Sequence, residues 1–203
     1  MKIGVLSTLA LAALVSTPAF AQFPASTNPV QVESGAYSVD PAHTQILFAV
    51  SHMGFTTYYG RFANASGTLD LSSKDAAASR LQIAVPTSTV STTSDKLNEE
   101  LKGAQWFDAP RYPEISFKSV KVTRTGQDTA QVTGDLTLHG VTKRVMLAAR
   151  FSGAGVNPLD KKYTVGFRAT GTIRRSDYGM TTYVPLIGDQ VELTLSGAFE
   201  RQS

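Results

Sequence analysis

Alternation of apolar and polar residues over long segments is the feature that most restricts the fold of this chain. The clearest case is 189–200, where the apolar residues Val191, Leu193, Leu195 and Phe199 are separated mostly by polar ones. Successive side chains of a β-strand point to opposite faces, so a period of two predicts strands with one buried face. Eight segments carry this pattern: 44–53, 59–71, 79–86, 113–124, 129–139, 141–152, 162–174 and 189–200.

The connections between these segments predict antiparallel order. "HGV" at 139–141 leaves almost no loop between two strands, and "TGQD" at 125–128 is a hairpin loop that contains glycine. Parallel neighbours would need long crossovers, so these neighbours are predicted to be hairpins. Strands of roughly 8 to 13 residues are long for a sandwich and suit a barrel. We therefore expect an all-β fold, an eight-stranded antiparallel barrel.

A helical insertion interrupts the strands after 79–86. "TSTVSTTS" at 87–94 is rich in Ser and Thr, and the "SDKLNEELKGAQWFD" that follows offers a polar cap, an acidic first turn and a glycine near the end. These are the signals of a short helix. Its apolar residues either cover an open end of the barrel or pack into the core: Leu97, Leu101, Trp106 and Phe107.

The N-terminus has the form of an export signal. Lys2 precedes an apolar run from Ile3 to Val15, and Ala19-Phe20-Ala21 is the small-x-small pattern of a cleavage site. The run is shorter than the ~20 residues needed to span a bilayer. We expect residues 1–21 to be a cleaved signal peptide, 22–35 a flexible arm and 36–203 a single domain. The chain has no cysteine, so neither disulfides nor a lipid-carrying cysteine are available.

Charge and motifs argue against several function classes. Without Lys2 the chain has 18 basic and 16 acidic residues, a net charge of only +2, which gives little support to nucleic-acid binding. Gly-x-Ser-x-Gly, Ser-x-x-Lys, His-Glu-x-x-His and P-loop motifs are absent from the sequence. A Ser-His-Asp triad stays open, because its members need not be adjacent in sequence.

The three histidines do not form an obvious metal site. His43 and His52 are nine residues apart on one predicted strand, which is about 30 Å and an odd number of steps, so they point to opposite faces. His139 follows the inward Leu138 and is predicted to point outward. Only His52, at the inner end of an apolar wall, keeps a functional interpretation.

Five blocks of the sequence resemble, in order and spacing, the motifs of the YceI-like family. The resemblance covers almost the whole chain after the N-terminal arm, with slight departures from the family pattern at Thr44 and Tyr178. True lipocalins usually carry a tryptophan on the first strand. The single tryptophan here, Trp106, lies in the helical insertion instead. The blocks are "YSVDPAHTQILFAVSHMGFTTYYGRF" (37–62), "WFDAPRYPEISFKS" (106–119), "GDLTLHGVTKRVML" (134–147), "RRSDYGM" (174–180) and "IGDQVELTLSGAFE" (187–200).

This resemblance implies a lipocalin-like, eight-stranded antiparallel barrel that is usually periplasmic and encloses a long apolar ligand. The ligands expected for such a barrel are polyisoprenoids, including isoprenoid quinones and prenyl phosphates. The resemblance also implies no catalysis, no metal and no cofactor other than the bound lipid.

The side chains predicted to contact such a ligand fall into two groups. The apolar lining is predicted to comprise Ile46, Phe48, Val50, Phe62, Ile83, Phe117, Leu136, Leu138, Phe167 and Ile173. Periodicity alone is equally compatible with a packed core. The head-group candidates are His52, Arg175, Asp177 and Tyr178, since these side chains can pair with phosphates or quinone carbonyls. The structural alternatives are an Arg175–Asp177 ion pair and simple packing of Tyr178.

The sequence thus predicts a carrier, reservoir or sensor for a hydrophobic small molecule. The alternative is a periplasmic enzyme that acts on a lipid head group. A transient contact with a membrane and a homodimer are both compatible with the sequence.

Overall fold

The computed structural model describes residues 25–202, so the predicted signal peptide lies outside the described residues. Within this range the chain forms ten strand segments and one α-helix, α1 (Asp95–Lys102), with short 3-10 helices at Pro29–Gln31, Ala76–Ala78, Thr87–Thr89 and Arg175–Tyr178. The strands are β1 (Gly35–Val39), β2 (Gln45–His52), β3 (Thr56–Phe62), β4 (Ser66–Leu71), β5 (Arg80–Pro86), β6 (Glu114–Arg124), β7 (Thr129–Leu138), β8 (Val141–Val156), β9 (Tyr163–Arg174) and β10 (Ile187–Arg201).

The ten segments make eight continuous strands around a closed barrel. β1 and β2 lie end to end along β10, so Phe199 pairs with Val39 of β1 while Leu195 pairs with Ile46 of β2. β4 continues β3 in the same way, since β4 pairs with β1 and β3 pairs with β2. The β1–β10 pairing closes the sheet, and all pairs are antiparallel. The predicted eight-stranded antiparallel barrel with a short helical insertion is confirmed.

The predicted strand 59–71 and the undetected β1 are two places where the observed strands differ from the prediction. The predicted strand 59–71 begins at 56 and is interrupted between β3 and β4, where Asn64 takes a left-handed conformation with φ of 57°. β1 was missed, because a five-residue strand is too short for a period of two to stand out. Its ladder partners lie far away in sequence on β4 and β10, so local pattern carries little information about it.

The tight β7–β8 hairpin agrees with the predicted connection. Leu138 pairs directly with Val141, which leaves a loop of two residues. Both of them have positive φ, 51° at His139 and 73° at Gly140. This combination is that of a type I′ turn, whose twist matches the twist of the flanking strands.

The segment between β5 and β6 covers the end of the barrel at which β3 and β5 are not paired. Arg61 and Ser91 exchange two backbone hydrogen bonds of 2.9 Å, which attach this segment to the free side of β3. The helix α1 is capped by Ser94, whose Oγ accepts from the N–H of Leu97 at 3.3 Å. Leu101 of the helix and Trp106 of the turn that follows it are both buried. The insertion therefore acts as a lid, and its apolar residues also join the core.

Buried side chains concentrate around the junction of β1 with its neighbours. Tyr37 and Val165 are completely buried there, and Phe199 and Val32 belong to the same cluster. The Tyr37 hydroxyl donates to the carbonyl of Glu33 at 2.6 Å, which fixes the last residues before β1. Within residues 25–202, no helix has the length and apolar character needed to cross a membrane.

Candidate ligand cavity

A cavity of about 1000 Å³ occupies the interior of the barrel. It extends from the lid, at Trp106 and Arg175, to the opposite end, at the β4–β5 and β6–β7 loops. All ten apolar positions selected from the sequence lie on its wall: Ile46, Phe48, Val50, Phe62, Ile83, Phe117, Leu136, Leu138, Phe167 and Ile173. Their contact with a ligand stays a prediction.

The exposure of these residues distinguishes a hollow barrel from a packed one. Phe62 and Leu138 are buried, but the other eight are only half-buried although they point inward. Inward side chains of a packed core would be excluded from solvent almost completely. The interior is therefore hollow along much of its length, which periodicity alone did not decide.

Glycines in the wall help to keep the interior open. A Cβ placed on Gly134 would lie 2.3 Å from Cζ of Phe117, and one placed on Gly171 would lie 2.6 Å from Cδ2 of Leu147. Each neighbouring side chain thus lies flat over a glycine on the wall. These side chains therefore do not fill the space near the barrel axis.

Arg175 forms the polar part of the wall at the lid end. It begins the 3-10 helix after β9 and is only 4% exposed. Its Nε, Nη1 and Nη2 donate to the carbonyls of Gly188, Met180 and Ile187 at 2.8, 2.9 and 2.8 Å. Burial lowers the pKa of Arg175. The side chain thus ties the loop before β10 to the end of β9.

The acidic neighbours of Arg175 have other roles. Asp177 is exposed and does not line the cavity, and among residues 25–202 it forms no ion pair with Arg175. Asp189 accepts from the backbone N–H and the hydroxyl of Ser176 at 2.9 and 2.8 Å. These bonds lower its pKa, with the backbone bond of Ser176 as the largest cause. The structure contains Arg175 bound to carbonyls instead of the Arg175–Asp177 pair considered above.

Tyr178 and His52, the two remaining head-group candidates, lie off the cavity wall. Tyr178 is 1% exposed and packs with Leu138 and Met180. Burial raises its pKa to about 12, and its hydroxyl has no hydrogen-bond partner among the described residues. His52 ends β2, with its ring 6.1 Å from that of Tyr58. The arrangement of Tyr178 matches the packing alternative.

The other histidines are engaged in local contacts. Nδ1 of His43 lies 2.6 Å from Oδ2 of Asp40 in the link between β1 and β2. Nδ1 of His139 lies 2.9 Å from the carbonyl oxygen of Tyr178. No group of three or more His, Cys, Asp or Glu side chains suited to a metal ion occurs in the described part of the chain.

Several wall residues were not selected from the sequence. The largest set lies on β10, where Val191, Leu193 and Leu195 have the same inward parity as Phe199. Their alternation was visible in the sequence and could have identified them. Trp106 and Phe107, which the sequence pattern assigned either to a cover of the barrel or to its core, also line the cavity.

A rim of exposed apolar side chains lies at the lid end, on two adjacent loops. It comprises Met53 and Phe55 from the β2–β3 turn and Tyr183, Val184 and Leu186 from the loop before β10. Phe55 is 85% exposed and Leu186 60%. The two loops are joined by the bond from the Met53 N–H to the Leu186 carbonyl, 2.7 Å, and the rings of Tyr183 and Trp106 are 6.3 Å apart. The rim therefore adjoins the cavity wall.

Comparison with known proteins places this barrel among related chains. A "UPF0312 protein" of Ectopseudomonas mendocina is 32% identical over 168 residues, which cover 82% of this chain and 87% of the relative. "Protein YceI" of Escherichia coli is 33% identical over 162 residues, which cover 79% and 84%.

Solved structures show the same fold. BcnA of Burkholderia cenocepacia superposes with a TM-score of 0.72 at 22% identity, covering 79% of this chain and 98% of that one. A polyisoprenoid binding domain from Saccharophagus degradans superposes with a TM-score of 0.62 at 18% identity, covering 82% and 98%.

The family profile described as the YceI-like domain matches residues 37–199, nearly the whole barrel. Together with relatives above 30% identity that span most of both chains, this match establishes the family. The chain belongs to the YceI-like family.

Proposed function

We propose that the barrel binds a long-chain polyisoprenoid, of the quinone or prenyl phosphate type, or a similar amphiphile. The observation that carries this proposal is the cavity of about 1000 Å³, on whose wall the inward Phe48, Phe117 and Phe167 are only half-buried. This volume is at the upper end of the range of small-molecule sites. The solved neighbour described as a polyisoprenoid binding domain supports the same class of ligand.

The energetics of an apolar wall fit such a ligand. Each buried CH₂ contributes about 0.8 kcal/mol, so a five-carbon unit contributes at most roughly 4 kcal/mol. A chain of several units is then held without a polar contact along its length. Chain length and saturation are discriminated weakly, because an apolar wall has few groups to leave unpaired.

We propose a role as carrier, reservoir or sensor in the periplasm, without turnover of the ligand. The signal-peptide pattern at residues 1–21 supports export. The central wall consists of Phe, Ile, Leu and Val side chains, which supply packing and no acid, base or nucleophile.

We further propose that the apolar rim contacts a lipid bilayer during loading and release. An isoprenoid is almost insoluble in water, so it must pass directly from a lipid phase into the cavity. The rim adjoins the cavity wall, because Tyr183 of the rim packs near Trp106 of the wall. Its exposed aromatic and aliphatic side chains are of the kind that bind at a membrane interface.

Extraction of bound lipid tests the proposed function. Protein purified gently from the periplasm of its native host is expected to release an isoprenoid into organic solvent, identified by mass spectrometry. Phe167→Glu is expected to abolish this, because the charge would face the apolar cavity between Phe151 and Phe199.

The matched control is Thr170→Glu, at an exposed position on the outer face of β9 that does not line the cavity. It adds the same carboxylate and should leave the lipid bound. Repeated extracts without lipid from folded wild-type protein would overturn the proposal. An enzyme would be supported instead if the protein converted the head group of a lipid. Arg175→Ala would then have to abolish this conversion while the amount of bound ligand stayed unchanged.

A further inference from the structure

The guanidinium of Arg175 is a buried cation with unused donors. A guanidinium has five N–H groups, and three of them are bound to the carbonyls of Met180, Ile187 and Gly188. One N–H group on each terminal nitrogen therefore has no acceptor among the described residues. Arg175 lines the cavity, and the residue is only 4% exposed.

The charge of Arg175 has no anionic partner in direct contact within the described part of the chain, and the nearby carboxylate of Asp189 is hydrogen-bonded to Ser176 instead. Among residues 25–202, no carboxylate lies within 4.0 Å of its nitrogens, and its polar contacts are carbonyl oxygens. A buried charge without a counter-charge is costly unless it is hydrogen-bonded on all sides. A ligand oxygen at this end of the cavity would occupy the remaining donors and reduce that cost.

Trp106 adds a flat aromatic surface to the same end. The guanidinium carbon of Arg175 lies 5.5 Å from the centre of the indole ring, so the cation sits over its face. The indole N–H is turned away to Glu100, with 3.3 Å between Nε1 and Oε1. Wall residues Ile173, Met180 and Ile187 surround the pair with apolar surface.

The opposite end of the cavity has polar groups of a different kind. Arg124 is exposed and donates to the carbonyls of Gly126 and Gln127 in its own hairpin. Arg80, also exposed, donates to carbonyls of the preceding turn, and Asp128 pairs with Arg150. These groups compete with water for any ligand, which weakens their interaction with it.

We propose that the Arg175–Trp106 end of the cavity holds the head group of the ligand and selects one that carries an oxygen acceptor, a quinone carbonyl or a phosphate oxygen. The apolar tail then extends along the half-buried phenylalanines toward the other end. This inference rests on the proposed function and adds the direction in which the ligand lies. It also assigns to Arg175 the selection among ligands by their head group, which the apolar wall does not provide.

The single tryptophan of the chain reports directly on this orientation. Protein stripped of lipid is titrated with decyl-ubiquinone, whose ring quenches indole fluorescence on contact, and with squalene, an isoprenoid hydrocarbon without a head group. The quinone is expected to quench Trp106 in a saturable manner. Squalene is expected to bind, measured by displacement of the quinone, without quenching by itself.

A phosphate comparison separates the two kinds of acceptor. Geranylgeranyl phosphate and geranylgeraniol have the same tail, and each is used to displace the bound quinone. The phosphate is expected to bind at least tenfold more tightly than the alcohol if charge is recognised. Equal affinities with intact quinone quenching would assign the site to carbonyl acceptors alone.

Substitution of Arg175 tests the residue itself. Arg175→Lys keeps the charge but loses the planar donor set, and it is expected to reduce the preference for quinone over squalene about tenfold while squalene still binds. Arg174→Lys, at the exposed neighbouring position, is the control. Should Arg175→Lys fail to fold, the quenching of wild-type Trp106 decides the question.

The outcomes separate this inference from the proposed function. Quinone bound at full stoichiometry without quenching would place the head group elsewhere, since the far end of β9 is roughly 36 Å away along the strand, and would overturn the inference alone. Failure of both quinone and squalene to bind would contradict the proposed function and the inference with it.

Discussion

The ring of Phe48 lies directly over Gly60, its partner on the neighbouring strand β3. A Cβ on Gly60 would fall 2.1 Å from Cζ of Phe48, and its two next contacts are also atoms of this ring. The glycine therefore permits the ring to lie along the wall, near Phe62 and Phe107, with centroid distances of 5.6 and 6.3 Å.

We predict that Gly60→Ala narrows the cavity. The added methyl group forces Phe48 off the wall and toward the barrel axis, and such overpacking costs about 1–3 kcal/mol of unfolding free energy. Denaturant unfolding and retention of isoprenoid chains of increasing length measure the two effects. The double variant Phe48→Leu/Gly60→Ala is expected to recover binding, since the smaller side chain leaves room. Equal chain-length retention in wild type and Gly60→Ala would contradict this account of the glycine.

Tyr178 and Tyr37 are buried tyrosines with opposite hydrogen-bonding states. The hydroxyl of Tyr178 has no partner among the described residues, while that of Tyr37 donates to the Glu33 carbonyl. Burial of an unpaired hydroxyl costs about 1–3 kcal/mol. We expect Tyr178→Phe to raise the unfolding free energy of the ligand-free protein by about 1 kcal/mol and Tyr37→Phe to lower it by a similar amount.

Chemical denaturation of both variants checks this pair, and wild-type protein is the reference. A loss of stability in Tyr178→Phe would show that its hydroxyl is satisfied after all. If the variant instead retains less isoprenoid at unchanged stability, the hydroxyl contacts the ligand.

The His43–Asp40 pair makes the β1–β2 link sensitive to pH. The hydrogen bond with Asp40 raises the pKa of His43. Burial raises the pKa of Asp40, but hydrogen bonds from His43 and from backbone N–H groups outweigh it and lower that pKa. The histidine contribution is fully present below its ordinary pKa of 6.5 and is lost as the pH rises through the raised value. The aspartate contribution is present above 3.8 and is lost as the pH falls through the lowered value.

We therefore expect the link to be most stable in mildly acidic solution, between these two transitions. NMR titration of the His43 imidazole is expected to show a raised pKa that Asp40→Asn returns toward 6.5. Asp135→Asn, which breaks a different ion pair, is the control and should leave this pKa unchanged. An identical pKa in Asp40→Asn and wild type would rule out the pairing in solution.

The apolar rim predicts binding to lipid vesicles. The double variant Phe55→Ser/Leu186→Ser removes two of its most exposed side chains and is expected to reduce cosedimentation with phosphatidylethanolamine–phosphatidylglycerol liposomes several-fold. Leu159→Ser is the control, since Leu159 is 90% exposed at the opposite end, between β8 and β9. If the double variant leaves vesicle binding unchanged but alters the size in gel filtration, the rim is a homodimer interface.

The sequence was a good guide wherever a residue's role depends on strand parity. Phe48, Phe167 and the other selected apolar positions lie on the inner wall because alternation along a strand determines the face of the barrel that a side chain takes. His43 does not test this rule, because it lies in the link before β2 and not on the strand. The rule was less useful at strand ends, where His52 has the inward parity but lies off the cavity wall.

The lid end shows why the other site residues could be placed only with the tertiary structure. Arg175 was paired with Asp177 in the sequence-based alternative because the two are close along the chain. In the structure it binds carbonyls of Met180, Ile187 and Gly188, which reach it only when the loop before β10 folds back. Trp106 arrives from a separate segment, the lid.

By itself, the sequence determined most of the strands, their antiparallel order and the face taken by side chains within them, since these follow from local periodicity and short connections. Only the tertiary structure decided that the barrel is hollow and that Arg175 lies at its lid end. Both properties depend on distances between side chains of different strands: the phenylalanines lie flat because glycines on adjacent strands leave them room, and the arginine is buried because three carbonyls converge on it.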